Sequence, residues 1–339
     1  MILIVTAADD EPAGRVESIL RRRGADVLRF DAGDFPSKAR ISVSFRASTP
    51  RYTLRTGGRT VRFDELSAVW YRKPRPCVAA DAIVDPEVRG VVEQDAREFI
   101  ASVWDSLACR ALPGRPSAMA TAQRKASQMC RATALGFDVA PTSFTNDPAE
   151  FLDLHRECNG QLISKITSTL ALRPRFGSEF SRYTERVSPR DVAHAQAVSL
   201  CPIVVQAYVP KRLELRVTVV GRQVFAAEID SQATHRTRVD WRRYDLAATP
   251  HRAHALPRDI ADRCVALVAD AGLAFGTIDL ILTPDDRYVF LELNSAGEYG
   301  WIEELTGLPI SDAIAGFLLG DATTDADRTP HLLHEARHA

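Results

Sequence analysis

A chain of 339 residues has room for two or three domains, and 45% hydrophobic with 26% charged residues is the balance of a globular protein with a sizeable core. Its 43 basic residues, mostly Arg, against 44 acidic ones leave a formal net charge of −1; with no recognition-module motif, this excludes nucleic acid as an expected partner. No apolar run reaches the ~18 residues of a membrane span, so no membrane association is expected, and six cysteines without C-x-x-C or zinc spacing suit free thiols in a reducing cytoplasm.

The opening Met-Ile-Leu-Ile-Val-Thr lacks a basic leader or cleavage site, so residues 2–7 read as a buried strand. Asp9, Asp10 and Pro12 start a helix that runs to about Arg23, Gly24 stops it, and residues 26–30 form the next strand. This β-α-β opening carries no G-x-G-x-x-G fingerprint. A meander follows over 41–47, 51–56 and 60–63, turning at Gly57-Gly58. The apolar strand Leu66–Pro74 ends in an aromatic, cationic tip, Trp70-Tyr71-Arg72-Lys73, and an amphipathic helix spans about 86–107. Composition changes at Pro113-Gly-Arg-Pro116, which places a boundary between a first domain, 1–114, and a second, 115–205.

The second region opens with a helix holding Arg124-Lys125 and closed by Gly136. Val139–Phe144 leads into a helix near 147–158, and Gln161–Ile166 is a strand with Lys165 near its end. The polar stretch 167–181 reads as a mobile loop, followed by a strand over 182–187 and a helix over 189–198. Ile203–Pro210 is a buried strand running into a linker, and a third domain is expected over 206–320. It contains a hairpin, Leu213–Val220 with Gln223–Asp230, whose Glu214, Arg216 and Thr218 share a face. Helices over about 257–271 and 309–319 complete it, and residues 321–339 read as a disordered tail with incidental histidines.

The stretch Thr277–Asn294 reads as two strands joined by a four-residue turn, Pro284 to Arg287. Folded about the midpoint of Asp285 and Asp286, it sets Asp279 opposite Glu292, with Asn294 on the same face. The other face then carries Ile278, Leu280 and Leu282 against Val289, Leu291 and Leu293. Two carboxylates and an amide oxygen are hard donors suited to Mg2+, and a bound cation removes the repulsion of facing carboxylates. The alternative is an ordinary hairpin with a polar outer face.

Other polar residues interrupt apolar elements in a telling order: Lys125, Lys165, Gln206 and Tyr208, then Glu214 and Arg216, then the hairpin acids. Cations for phosphates, an apolar strand for a flat base, an acid for ribose hydroxyls and Mg2+ ligands compose a nucleoside triphosphate site. It is no P-loop and no protein kinase, because G-x-x-x-x-G-K-[ST], H-R-D and D-F-G are absent. Taken singly, Lys125 reads as a surface lysine, Tyr208 as core and Arg216 as half of a structural ion pair.

The order Lys125, Lys165, Gln206-Ala-Tyr-Val209, Glu214-Leu-Arg216, Asp279 and Phe290-Leu-Glu-Leu-Asn294 resembles the ATP-grasp superfamily. The resemblance implies a mixed α/β and α+β fold, with two α+β lobes sandwiching ATP behind a Rossmann-like N-terminal domain. It implies that Lys125 and Lys165 hold phosphates, that the backbone of Ala207 and Val209 meets the adenine edge, and that Glu214 meets the ribose. Asp279, Glu292 and Asn294 would hold Mg2+. The hinge commonly has an acid where this chain has Ala207, a departure that a backbone contact tolerates.

A narrower resemblance runs nearly end to end. Val69-Trp-Tyr-Arg-Lys-Pro74, Ala227–Gln232, Asp240-Trp-Arg-Arg-Tyr-Asp245, Glu292–Glu303 and Leu305–Ile310 resemble the microviridin-type ligases, the graspetide synthetases that macrocyclise ribosomal peptides. That family activates Asp or Glu side chains of a leader-bearing precursor peptide as acyl phosphates with ATP, and forms ω-esters with Ser or Thr or ω-amides with Lys. The resemblance makes Arg216 the candidate for stabilising the transferring group, with a structural pair to Glu214 as its alternative. It makes Arg243 a candidate for orienting the peptide carboxylate and Asp230 for accepting the hydroxyl proton; salt-bridged surface residues are the alternative. Loop 167–181 would exclude water, the Trp70–Lys73 tip would meet the peptide or the lobe interface, and a homodimer is implied. The competing enzyme is an ATP-grasp ligase that joins amino acids or small peptides.

Overall fold

The computed structural model describes residues 1–46, 50–165, 184–233 and 249–321. The lid candidate 167–181, the motif Asp240–Asp245 with Arg243, and the tail lie outside these residues. Three layers of structure position the site: an N-terminal parallel sheet, a small antiparallel sheet and a larger sheet whose one face meets both.

The first sheet has the order β2-β1-β6-β7, all parallel, from β1 (Ile2–Thr6), β2 (Val27–Phe30), β6 (Ala68–Lys73) and β7 (Arg110–Leu112). Every residue of β1 is buried, as a largely β-branched run in a doubly covered sheet should be. Helix α1 (Glu11–Arg22) begins where Asp10 accepts from the Ala13 amide at 3.2 Å, with Pro12 in its first turn. Helix α2 (Pro86–Asp105) covers one face through Ile100, Val103 and Trp104. The meander β3 (Arg40–Ser44), β4 (Arg51–Thr56) and β5 (Arg59–Arg62) joins that same core. The opposite face takes α1 together with α9 (Ile310–Leu319), so the last described helix packs on the first sheet.

The small sheet, order β11-β10-β12-β9, consists of β9 (Thr142–Thr145), β10 (Leu162–Lys165), β11 (Glu185–Arg186) and β12 (Ile203–Ala207). Helix α5 (Pro148–Glu157) closes its core with Phe151 and Leu154. The sequence predicts one helix over 189–198; the chain instead breaks after a short α6 (Pro189–Ala193) into a 3-10 turn.

The large sheet has the order β15-β14-β13-β16-β17-β8. Its strands are β8 (Asp138–Val139), β13 (Leu213–Val220), β14 (Gln223–Ile229), β15 (His251–His254), β16 (Phe275–Leu282) and β17 (Tyr288–Asn294). Helices α3 (Pro116–Ala122), α4 (Lys125–Ala134) and α7 (Arg258–Asp270) cover one face. The single helix expected around Arg124-Lys125 is therefore two, and Lys125 opens the second. Helix α8 (Gly300–Thr306) and strand β15 escaped the sequence reading. Among the described residues no helix is long and apolar enough to cross a membrane.

The β16–β17 hairpin corrects the expected turn. Thr283 and Arg287 close it, the Thr283 amide donating to the Arg287 carbonyl at 3.0 Å, so the loop is Pro284-Asp285-Asp286 and Asp286 is left-handed at φ 62°. A three-residue loop shifts the register by one, giving Leu280 opposite Phe290 and Ile281 opposite Val289. A bulge at Leu291 restores it, and Asp279 does pair with Glu292. The core face therefore carries Ile278, Leu280 and Leu282 with Tyr288, Phe290 and Leu293. Val289 and Leu291, expected on that face, pack with Ile281 on the other.

After Asn294 the chain folds back on β16. A Cβ on Gly297 would lie 1.7 Å from Thr277 Oγ1, so only glycine fits there. Gly297→Ala should destabilise the protein by about 2–3 kcal/mol through overpacking, seen as a lower urea midpoint at unchanged slope.

Candidate active site

Strands β13, β16 and β17 place their polar residues on one face. Arg216 pairs in register with Asp279, and Asp279 with Glu292. Facing carboxylates on adjacent strands repel, and the fold answers each with a cation. Arg216 Nη1 donates to both oxygens of Asp279, at 2.7 and 3.0 Å, in a buried pair. Lys125 bonds Glu292 Oε2. Arg216 is thus paired with Asp279, not with Glu214 as the structural alternative had it.

The donor chemistry suits Mg2+. Asp279 and Glu292 each bring a carboxylate with about four lone-pair sites, and Asn294 Oδ1 accepts a 3.3 Å bond from the Ala296 amide. Among the described residues no cluster of three His, Cys, Asp or Glu is available to a metal. Two carboxylates and an amide fit an ion that keeps water and phosphate ligands.

Sequence reasoning missed the residue that holds this strand. Gln128, one turn after Lys125 on α4 and only 3% exposed, donates to the Leu293 carbonyl at 2.7 Å and the Ala122 carbonyl at 2.6 Å, and accepts from the Leu293 amide at 3.0 Å. Strand β8 pairs with β17 only at Val289 and Phe290, so the Gln128 amide continues the ladder beyond it. Leu293 lies between Glu292 and Asn294, so Gln128 fixes the backbone from which both project. The available signal was a polar residue three positions after Lys125, on the buried side of the helix.

The small sheet supplies the other wall. Gln206 accepts from Lys165 Nζ at 2.9 Å and donates to Thr142 Oγ1 at 2.8 Å, orienting the lysine. The Ala207 amide donates to the Pro141 carbonyl at 2.8 Å. Arg186 lies 3.7 Å over the Tyr208 ring, a cation–π contact that seats Tyr208. Ala207 and Val209 pack with Ala140 against Ile281, Val289 and Leu291, forming an apolar patch between the sheets. Glu214 is held by Lys211 at 2.9 Å, both side chains 6% exposed. Lys211 was also missed; a lysine three residues before an acid in a non-helical segment carries no periodic signal.

Asp230 follows Ile229, which pairs with Glu214, so it stands at the same end of the sheet. Arg243 lies outside the described residues. The side chains brought together are four cations, Lys125, Lys165, Lys211 and Arg216, against three carboxylates, Glu214, Asp279 and Glu292. These charged groups lie beside the apolar patch between the sheets.

Comparison with known proteins bears on this arrangement. The profile of the MvdD pre-ATP grasp domain matches residues 1–115. Macrocyclase MdnB of Microcystis aeruginosa MRC is 31% identical, with 94% of this chain and 98% of that one covered at a TM-score of 0.76. Macrocyclase MdnC of the same organism, solved with the precursor peptide MdnA, is 30% identical over 94% and 99%, with a TM-score of 0.83. The chain belongs to the microviridin-type ATP-grasp macrocyclases. A RiPP-associated ATP-grasp ligase of Chryseobacterium gregarium, in complex with ADP and a leader and core peptide, is also similar: 29% identity, 94% and 96% coverage, TM-score 0.87. A search of curated proteins gives no match. This macrocyclase-family chain is an ATP-grasp ligase, and its mixed α/β architecture is the ATP-grasp fold.

Gln128→Leu should lower stability by about 3 kcal/mol, because it strips the buried Leu293 amide and carbonyl of their partner. At temperatures where the variant remains folded, it should also weaken Mg2+-dependent ATP turnover; unchanged turnover would show that the clamp does not position Glu292 and Asn294.

Proposed function

We propose that this ligase macrocyclises a ribosomal precursor peptide, using ATP and Mg2+ to join Asp or Glu side chains to Ser, Thr or Lys side chains of the same peptide. The observation that carries the reading is the Asp279–Glu292 pair, flanked by Arg216 and Lys125 and facing the apolar patch between sheets.

In this reading the adenine lies on Ile281 and Leu291, its edge meeting the Ala207 carbonyl and the Val209 amide. The Ala207 amide is committed to Pro141, which leaves its carbonyl as the group it can offer. Glu214, fixed by Lys211, accepts from ribose hydroxyls. Lys125 and Lys165 hold phosphates; Lys125 does so by exchanging its bond to Glu292. Asp279, Glu292 and Asn294 would hold Mg2+, which would supply the positive charge that lets two anions approach. A peptide carboxylate oxygen attacks the γ-phosphorus, the bond to the β-phosphate oxygen breaks, and ADP leaves. Arg216, fixed by Asp279, stabilises charge on the transferring group. The hydroxyl or amine then attacks the acyl carbon and phosphate departs, so each ring costs the peptide one water. Asp230 accepts the nucleophile's proton, and Arg243 orients the peptide carboxylate.

Residues 1–114 serve as the N-terminal domain and 115–205 and 206–320 as the two lobes, with α3, α4 and β8 of the middle segment packed into the large sheet of the second lobe and the peptide's leader on the middle region. A homodimer and indifference to nucleic acid complete the proposal; family resemblance supports the first and a net charge of −1 the second. The amino-acid or small-peptide ligase is not favoured, since the relatives at 29–31% identity are macrocyclases or a RiPP-associated ligase.

The test is mass spectrometry of the precursor encoded beside the gene, incubated with enzyme, ATP and Mg2+. Loss of one water per ring is expected. Glu292→Ala should slow that loss by about a hundredfold or more while the protein stays folded. Phosphate release with free amino acids and no peptide would favour the small-molecule ligase.

A further inference from the structure

The tip of β6 plays no part in the nucleotide site, yet it is built with care. Along the β1–β6 ladder Val5 pairs with Tyr71 and Thr6 with Lys73, so Arg72 is the extra residue of a bulge. In a regular strand neighbours face opposite sides; a bulge re-aims them. Here Arg72 and Lys73 both reach the carboxylate of Glu298.

The two cations are not equivalent. Arg72 is 4% exposed, bonds Glu298 at 2.8 and 3.1 Å, has Asp10 at 3.6 Å, and lies 5.4 Å from the centre of the Tyr299 ring. That grip latches the N-terminal sheet to the turn after Asn294 and is complete without a second cation. The Lys73 side chain is 50% exposed, and its partner is already satisfied by Arg72. An ion pair so open to solvent adds little to stability. Burial, then the charge of Arg72 beside it, lowers the Lys73 pKa, and a further carboxylate would oppose both effects.

Its position is pointed. Glu298 follows Gly297, which is pressed onto Thr277, and Thr277 faces the same side of β16 as Asp279, two residues and about 7 Å away. Through Glu298, Lys73 therefore reaches the turn that follows Asn294, and it stands at the C-terminal ends of the parallel strands β1 and β6. That is the end at which open α/β sheets hold ligands.

The geometry points to Lys73 as a docking cation for an acidic side chain of the peptide substrate, with Glu298 as a built-in competitor. The incoming carboxylate takes Lys73, and Glu298 stays with Arg72. The inference rests on the peptide reading above and adds a residue that selects acids in the ring-forming segment.

The experiment measures KM for precursor and for ATP separately, with the peptide encoded beside the gene and versions in which each acidic residue in turn becomes its amide. Lys73→Ala should raise the precursor KM about tenfold, the scale of one charge-assisted hydrogen bond, at unchanged KM for ATP and unchanged urea midpoint. Lys73→Arg should restore most of the loss. One peptide acid should show the coupling: its amide costs the wild type about tenfold and costs Lys73→Ala nothing further. A precursor KM unmoved by Lys73→Ala, or a KM for ATP that rises instead, overturns the inference. Failure of the wild-type enzyme to dehydrate the peptide would instead defeat the peptide reading itself.

Discussion

Two carboxylates face each other across the β16–β17 ladder, and everything at the active site follows from keeping them there. Asp279 and Glu292 would repel in a low-dielectric setting. The fold meets that cost with Arg216 from the neighbouring strand and Lys125 from the first turn of α4. A buried pair such as Arg216–Asp279 is costly to break from one side, since the orphaned charge stays buried. The same four groups are those that phosphoryl transfer requires: hard-oxygen donors for a divalent cation, and fixed cations for the charge on a moving phosphoryl group. In the proposed function, structural neutralisation and catalytic preparation are one arrangement.

Precision comes from irregularities rather than from regular strands. The bulge at Leu291 keeps Asp279 opposite Glu292 despite a three-residue loop, and turns Leu291 toward the apolar patch. Gln128 supplies in one side chain the hydrogen bonds that β8 is too short to provide. The bulge at Arg72 directs two consecutive cations at Glu298. Each device re-aims side chains around the same turn and strand, which is how rigid sheets bring groups from distant parts of the chain to one point.

The N-terminal sheet is part of the site's foundation. Helix α9 returns to cover it beside α1, and residues of the large sheet, Val220, Phe225 and Phe275 among them, share its core. Arg72 adds a polar latch to the turn that follows Asn294. The position of Asn294 is thereby tied to the N-terminal part of the chain that matches the pre-ATP grasp profile.

Much of this was legible beforehand, because local patterns encode it. Folding Thr277–Asn294 about its middle put Asp279 opposite Glu292, a pairing kept because the Leu291 bulge offsets the shorter loop; caps and glycines bounded most helices, the order of lysines, hinge and acids pointed to the ATP-grasp superfamily, and motifs such as Val69–Pro74 and Glu292–Glu303 to its microviridin-type ligases. Residues 189–198 misled, since a helical pattern there broke into two short pieces. The turn length, the bulges, the choice of Asp279 rather than Glu214 as partner of Arg216, and the roles of Gln128 and Lys211 belonged to the tertiary structure. Periodicity fixes which face of an element a side chain occupies; only packing between elements far apart in the chain decides which charge or amide it meets there.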